Sequence, residues 1–409
     1  MHNEIDVCRV CKSGNLVTVI SLGDQYLTGV FLKSTDVCPS HGPIDVFFCK
    51  NCGLLQLKQS YSLDEMYGEN YGYRSGLNIS MVRHLQQKIS NLEEFIKPTD
   101  TDLVIDIGSN DATSLKAYKS NCIKVGIDPT GTKFKGFYTD NIHLIPDFFD
   151  AGRFLDQFKW KKAKIITSIA MFYDLEDPSI FVKDIEKCLD DEGVWHFEQS
   201  YMPLMLQTNA YDTICHEHLE FYSLNVVMNL LEKNNMRIVD VVTNNINGGS
   251  FAITACKKNA SYGSNFSAVC NLLDLERKMK INELKTYEDF GNRMVRHRES
   301  LLNLINSILK KGQRIIGYGA STKGNVLLQF CGLSVEQIPY IAEVNPDKFG
   351  SFTPGTNIPI ISEEEAKAMD PDYFFVLPWH FKNNILERER KFRENGGKFI
   401  FPLPEIEIV

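Results

Sequence analysis

No stretch of this 409-residue sequence approaches the ~20 consecutive apolar residues that a membrane-spanning helix needs. A helical membrane protein, and with it a membrane partner, is therefore not expected. Positive charge is short as well: 44 lysines and arginines stand against 52 aspartates and glutamates, for a net charge of -8. So acidic a chain is not expected to hold nucleic acid by its phosphates. The opening residues, MHNEIDVCRVCK, lack the basic-then-apolar pattern of a secretory signal, which points to the cytoplasm. The eleven cysteines are odd in number and mostly single, which argues against the disulfide framework of a small secreted protein.

What is present is too long for one ordinary core, so two or three domains are expected. Four cysteines form two tight pairs, Cys8 and Cys11 in CRVC and Cys49 and Cys52 in CKNC. Each pair sets two thiolates on one turn, and two such turns together make the tetrahedral sulfur cage that Zn(II) prefers. Gly53 permits the second turn. All four positions are filled by protein, so the zinc is expected to be structural. Cys38 and His41 lie between the pairs and are read as spare residues.

From about residue 100 to 256 strand-like and helix-like stretches alternate, which predicts a parallel sheet covered by helices. DLVIDIGSNDATSLKAY reads as a buried strand, a turn at Gly108, and a helix opening near Asn110 and Asp111. The next strand, KVGIDP, ends in Asp128, where an acid suits a ribose diol. Dinucleotide folds usually carry G-x-G-x-x-G so that the backbone can reach a pyrophosphate. This turn has Gly108 alone, which suits S-adenosyl-L-methionine (SAM), a cofactor without phosphate. Asp106 at the strand end is expected to meet the methionine ammonium. Asp147 and Phe148, after a third strand, suit the adenine amine and ring, and Asn110 in the turn completes the cofactor set. A fourth strand, AKIITS, and a fifth, GVWHFEQSY, follow. About a dozen residues later comes YDTICHEHLEFYS, in position to overhang the carboxyl ends of the strands.

These motifs together resemble the sugar C-methyltransferase family, which installs methyl branches on nucleotide-linked deoxysugars. The paired C-x-x-C turns match its zinc-binding domain, YGENYGYRSG its tyrosine-rich entry segment, and VIDIGSNDATSL its SAM motif. YDTICHEHLEFYS resembles its catalytic segment. NGGSF, GYGASTKGNVLLQFCG, NPDKFGSFTPGTNIPI and PDYFFVLPWHFKNNI resemble its C-terminal domain. The similarity runs from Cys8 nearly to the last residue. The resemblance implies SAM and a 4-keto nucleotide sugar as ligands, with a histidine removing the proton beside the ketone and the enolate taking the methyl group. By position the base is His218, with Glu217 beside it and tyrosines assisting. One departure stands out: Cys215 occupies a position where familiar members carry tyrosine, so that part passes to Tyr71, Tyr73 or Tyr222.

The residues of CHEH allow three readings. His216 and His218 at i and i+2 share a face only in an extended segment, and H-E-x-x-H is absent, so a catalytic metal is disfavoured. His216 is read as a structural polar residue. His218 is read as a general base, which needs an orienting group and a donor for the enolate oxygen.

Residues 261 to 310 show apolar positions at three and four spacing, expected to be long amphipathic helices that bridge two parts. Then QRIIGYGASTKGNVLLQF repeats strand, glycine turn and helix, with Gly317, Gly319 and Gly324 allowing close backbone approach. The expected role is to hold the diphosphate of the sugar nucleotide through Ser321 and Lys323. Asn325, Glu343 and Trp379, at the ends of neighbouring elements, complete the substrate set.

The expected fold is thus α/β: a zinc module over 1–70, a class I SAM methyltransferase core over 71–260, and over 261–409 a helical linker with a Rossmann-like domain. The expected protein is a monomer or small homo-oligomer. Two other functions remain open from sequence, O- or N-methylation of a sugar nucleotide and a non-catalytic methyltransferase-like binding protein.

Overall fold

The computed structural model describes residues 2–36, 39–67 and 73–409. Its first sheet is antiparallel, in the order Glu220–Phe221, Leu55–Leu57, His41–Cys49, Leu16–Tyr26. In HGPIDVFFC every second side chain is buried, the period of a strand with one face on a core. That face meets the helix Leu284–Lys310, whose Tyr287, Phe290, Met294, Leu301, Ile305 and Ile308 form one buried stripe. Phe48 and Tyr287 pack with ring centroids 5.0 Å apart. The bridging segment expected from its periodicity is therefore two helices, Phe266–Lys278 and Leu284–Lys310, and the second is a packing partner of the zinc module.

The second sheet has seven strands, ordered Met236–Asn244, Ser250–Lys257, Leu189–Ser200, Ala163–Ile169, Leu103–Ile107, Ile123–Ile127, Ile142–Ile145. All run parallel except Ser250–Lys257, inserted antiparallel between its neighbours. This is the doubly wound class I methyltransferase architecture expected from the sequence. The chain reverses direction of winding beside Leu103–Ile107, so a ligand crevice belongs outside the carboxyl ends of Leu103–Ile107 and Ala163–Ile169. The helix after the first strand is Thr113–Ala117 and starts later than its sequence suggests, because Asn110 and Ala112 adopt left-handed backbone (φ 48° and 59°).

The third sheet has six strands, ordered Ile360–Ser362, Ile341–Glu343, Ile315–Tyr318, Tyr373–Val376, Lys398–Phe401, Glu407–Ile408, all parallel but the last. Gly317, Gly319 and Gly324 allow close approach, but to protein. A Cβ on them would meet Ile341, Pro378 and Leu377 at 2.2, 2.7 and 2.5 Å. One apolar core joins the first sheet, the third sheet, the helix Leu284–Lys310 and the segment from Met202 to Leu219. The CHEH stretch therefore lies at the joint of all three parts, and its strand Glu220–Phe221 pairs with Leu55 and Gln56 of the first sheet. Among the described residues no helix is long and apolar enough to cross a membrane.

Candidate active site

The four paired cysteines converge. Each pair closes a turn, with Lys12 N–H donating to the Cys8 carbonyl and Gly53 N–H to that of Cys49, the latter turn set by φ +81° at Gly53. Cys8 and Cys52 sulfurs lie 3.6 Å apart, Cys11 and Cys49 sulfurs 3.5 Å, and all four within 4.8 Å of one another. Thiolates ~2.3 Å from a tetrahedral Zn(II) are about 3.8 Å apart, so the set fits zinc with no position left for water. His41 and the described part of the loop before it contribute nothing to this cluster; Cys38 lies outside the described residues. Arg9, inside the first turn, is buried and donates to the Leu57 carbonyl and to Ser60 Oγ, with its guanidinium 3.8 Å from Glu220. The zinc turn thus reaches the strand that follows CHEH.

The turn after Leu103–Ile107 is rigid. Gly108 has φ +74°, and a side chain there would press on Met171. Asp128 accepts from Asn110 N–H (2.7 Å) through one oxygen and from Thr130 N–H (2.6 Å) through the other. The Thr130 hydroxyl also donates to the second oxygen (2.5 Å), which leaves the oxygen facing Asn110 with capacity for a further donor such as a ribose hydroxyl. Asp106 accepts from Thr167 (2.6 Å), and burial lifts its carboxyl to about 7. A cationic ammonium beside it would favour the carboxylate. Asp147 is half-buried and paired with Arg153, and Phe148 is 46% exposed beside it, an open aromatic face next to an acceptor. These residues fit SAM: two acids at strand ends, a tight glycine turn and an exposed ring, without a phosphate cradle. The entry segment closes over the turn, as Ser75 N–H donates to Asn110 Oδ1 (3.0 Å), Gly76 N–H to Asp111 (2.9 Å), and Asn110 Nδ2 to the Tyr73 carbonyl (3.3 Å).

CHEH forms a turn, with His218 N–H donating to the Cys215 carbonyl (3.1 Å), and the turn sends its two histidines apart. His216 is fully buried; its Nε2 lies 3.2 Å from the Gln25 carbonyl and its ring packs edge-on against Tyr61. His218 is half-buried. Its Nδ1 lies 2.7 Å from the Thr213 carbonyl, which fixes the proton on Nδ1 and leaves the Nε2 lone pair free, and its ring packs on Tyr173. Burial, aided by the Lys323 ammonium, holds His218 neutral with its pKa down to about 3. The two histidines share no metal geometry. The Glu217 carboxylate reaches Thr28 Oγ1 (3.4 Å) and lies against Gly29, and burial raises its pKa. Burial, with Glu217 beside it, keeps Cys215 a thiol far above its usual range, so it is no thiolate nucleophile.

The tyrosines divide. Tyr71 lies outside the described residues. Tyr73 is 46% exposed at the entry segment. Tyr222 is fully buried and stacks on Phe172 (5.1 Å, 10° between planes), in the core and not beside His218.

The third sheet sends its switch point to the same place. Lys323 Nζ donates to Thr213 Oγ1 (3.1 Å) and to the Asn247 carbonyl (2.5 Å). Trp379 Nε1 donates to the buried Asp212 (2.7 Å), and Asn325 Nδ2 donates to the Thr28 carbonyl (2.7 Å). Ser321 caps the helix Thr322–Cys331 through Gly324 N–H. Glu343 accepts from Ala320, Val344 and Asn345 N–H groups and so shapes the loop around that cap. Sequence reading missed several members. Thr213 and Thr28 hold the turn, Asp212 anchors Trp379, and Asp174, held by Tyr67 (3.0 Å), has its pKa raised by burial first and by Glu217 last. A local signal existed for Asp174, which follows the fourth strand in FYDLED; the others meet only through long-range packing. Glu198, at the end of the fifth strand, bonds His84 and Lys88 (2.6 Å each) and Asn244 (2.5 Å), bracing the loop that presents the Asn247 carbonyl to Lys323.

Comparison with known proteins adds the following. Residues 245–404 match the family described as C-methyltransferase C-terminal domain. Residues 8–67 match the family described as "Putative zinc binding domain". C-methyltransferase NovU of Streptomyces niveus is 32% identical over 411 residues, covering 99% of this chain and 97% of that one. Among solved structures, the complex of the Haloferax volcanii Trm112 methyltransferase activator with a methyltransferase aligns at 10% identity. It covers 44% of this chain and 94% of that one, with a TM-score of 0.35. A protein from Listeria monocytogenes described as a "putative S-adenosylmethionine dependent methyltransferase" aligns at 12% identity, covering 42% of this chain and 98% of that one, with a TM-score of 0.33. At those scores neither structure bears on the reading of the site.

Proposed function

We propose, for a chain that belongs to the C-methyltransferase family and is itself a methyltransferase, that the acceptor is a carbon atom beside the ketone of a nucleotide-linked sugar. SAM, when bound at the glycine turn, supplies an electrophilic methyl group. The rest is work for this chain's own residues. His218, with Nδ1 tied to the Thr213 carbonyl, takes the proton from the carbon beside the ketone at Nε2. Glu217, set by Thr28 and Gly29, orients substrate or the imidazolium. The turn and the entry segment around Tyr73 exclude water from the enolate. Ser321, Asn325, Glu343 and Trp379 wall the far side of the cleft, where the sugar nucleotide would lie. In this proposal residues 1–70 brace the catalytic turn, 71–260 hold the cofactor and base, and 261–409 hold the substrate.

The observation that carries the reading is the state of His218. It is neutral, half-buried, fixed in one tautomer, packed on Tyr173 just after Ala163–Ile169, and joined through Thr213 to Lys323 just after Ile315–Tyr318. A neutral base of this kind could also deprotonate a hydroxyl; the preference for carbon rests on the kinship with C-methyltransferases. The test is to supply SAM labelled with carbon-13 in the methyl group and a panel of dTDP-, UDP- and GDP-linked 4-keto-6-deoxyhexoses. The expected product shows the labelled methyl coupled directly to a ring carbon. A label found on oxygen or nitrogen rejects C-methylation, and a panel without any product rejects the substrate class.

A further inference from the structure

Lys323 is a costly residue where it stands. It lies in the first turn of the helix Thr322–Cys331, at the positive end of the helix dipole. Burial holds its pKa below the usual lysine value, with Asp212 and Cys215 acting the other way. Among the described residues its Nζ has no ion-pair partner; the nearby buried Asp212, whose Oδ2 accepts from Trp379, favours the ammonium without bonding it. Its partners are neutral, Thr213 Oγ1 and the Asn247 carbonyl, which leaves one of three ammonium protons without a bond to protein. A partly buried cation without a direct ion pair is ordinarily disfavoured.

Its position relative to the base is fixed by a single residue. Thr213 accepts from Lys323 through its hydroxyl and from His218 through its carbonyl. Ammonium and imidazole are thereby held side by side, close enough for the charge of one to depress the other. That is the wrong neighbour for a base acting alone. It is the right neighbour for one that removes a proton beside a ketone, because the negative charge then develops on oxygen and needs a preorganised donor. Of the tyrosines expected to serve there, Tyr222 is stacked in the core on Phe172 and Tyr73 is 46% exposed at the entry segment, while Tyr71 lies outside the described residues; Cys215 stands where a tyrosine was expected.

We infer that Lys323 donates its free proton to the substrate's ketone oxygen and stabilises the enolate, in place of binding the diphosphate. The inference rests on the proposed C-methylation. In the step concerned the C–H bond beside the ketone breaks and its proton passes to His218 Nε2. The freed pair forms the carbon–carbon double bond, and the carbonyl π pair moves to oxygen, where the ammonium hydrogen bond meets it. Positive charge gained on the imidazole is matched by negative charge gained on the substrate oxygen beside Lys323, so the repulsion that the ammonium would exert on a protonated His218 is offset as the proton moves.

The test uses the full-length zinc-loaded enzyme, the dTDP-linked 4-keto-6-deoxyhexose as probe, and Lys323→Met, Lys323→Arg and Thr213→Val variants. SAM binding by calorimetry confirms that each is folded. Lys323→Met is expected to lower kcat for both solvent deuterium exchange and methyl transfer about 10²–10³-fold, with KM little changed. The acid limb of its kcat/KM profile moves up in pH, while burial still holds it below the ordinary histidine range. Lys323→Arg recovers part of the loss, and Thr213→Val, which frees the ammonium but keeps the carbonyl, shows a smaller loss of the same kind. A raised KM with kcat preserved would instead assign Lys323 to the diphosphate and overturn the inference, as would unchanged kinetics. Should Lys323→Met fail to bind SAM, the same criteria applied to Thr213→Val decide. A wild-type enzyme that neither exchanges nor methylates carbon would fail the underlying reading, an outcome visible before any variant is compared.

Discussion

Gly29→Ala should disable the enzyme without unfolding it. Gly29 does not adopt left-handed backbone, so alanine is conformationally acceptable there. Its Cβ, however, would stand 2.4 Å from Glu217 Oε1, where ordinary contact begins at 3.4 Å. The carboxylate must therefore retreat by about 1 Å. The obstacle is the end of a side chain and not backbone, so the cost in stability should stay within about 1 kcal/mol, partly offset by the reduced freedom of the unfolded chain. Catalysis is less forgiving, because a misplacement of about 1 Å in a catalytic group costs on the order of 10²-fold in rate. The assay is methyl transfer from labelled SAM to the 4-keto nucleotide sugar, alongside urea unfolding. Gly291→Ala, whose methyl would meet nothing within 4 Å, is the control. A Gly29→Ala enzyme with wild-type stability and wild-type turnover would show that the position of the Glu217 carboxylate does not matter.

Other expectations follow from the same geometry. Zinc analysis should find one ion per chain, and Cys49→Ser should remove it and lower the melting temperature. Because Glu220–Phe221 pairs with the zinc module, that variant should lose activity as well as stability; full zinc content in it would refute the four-sulfur site. Trp379→Phe leaves the buried Asp212 without its donor and should cost roughly 1–3 kcal/mol in denaturant unfolding; no change would mean that the bond is not formed in solution. For pH, His218, the proposed base, works when unprotonated, and burial has lowered its pKa to about 3. Activity in kcat/KM should therefore persist on the acid side of pH 6.5 and fall only as pH drops toward that depressed value, wherever the fold survives. An acid limb centred at 6.5 would contradict the buried neutral imidazole.

Features carried by short stretches of chain were legible in the sequence. Two C-x-x-C turns need only their own spacing and a glycine, and the cage they form is the one the spacing implies. The glycine turn with Asp106 and Asp128 is equally local, since consecutive parallel strands bring such residues to one edge. The CHEH turn was legible as a motif but not as a place. That His216 faces Gln25 and His218 faces Thr213 depends on a turn at residues 215–218 that period arguments do not specify. The approach of Thr28, Asn247 and Lys323 to that turn spans nearly 300 positions of sequence and comes from packing of three sheets on one core. The glycines of GYGASTKG misled for a related reason. Their pattern suggests a ligand, whereas their close contacts are to Ile341, Pro378 and Leu377.

The central claim is that His218 acts as a base on carbon. It is tested most directly by incubating wild-type enzyme and His218→Asn with the 4-keto nucleotide sugar in D2O, without methyl transfer, and following deuterium by NMR. The account predicts uptake at the carbon beside the ketone by wild type, and loss of that uptake in a His218→Asn protein that still binds SAM. Exchange at the wild-type rate in His218→Asn would contradict it.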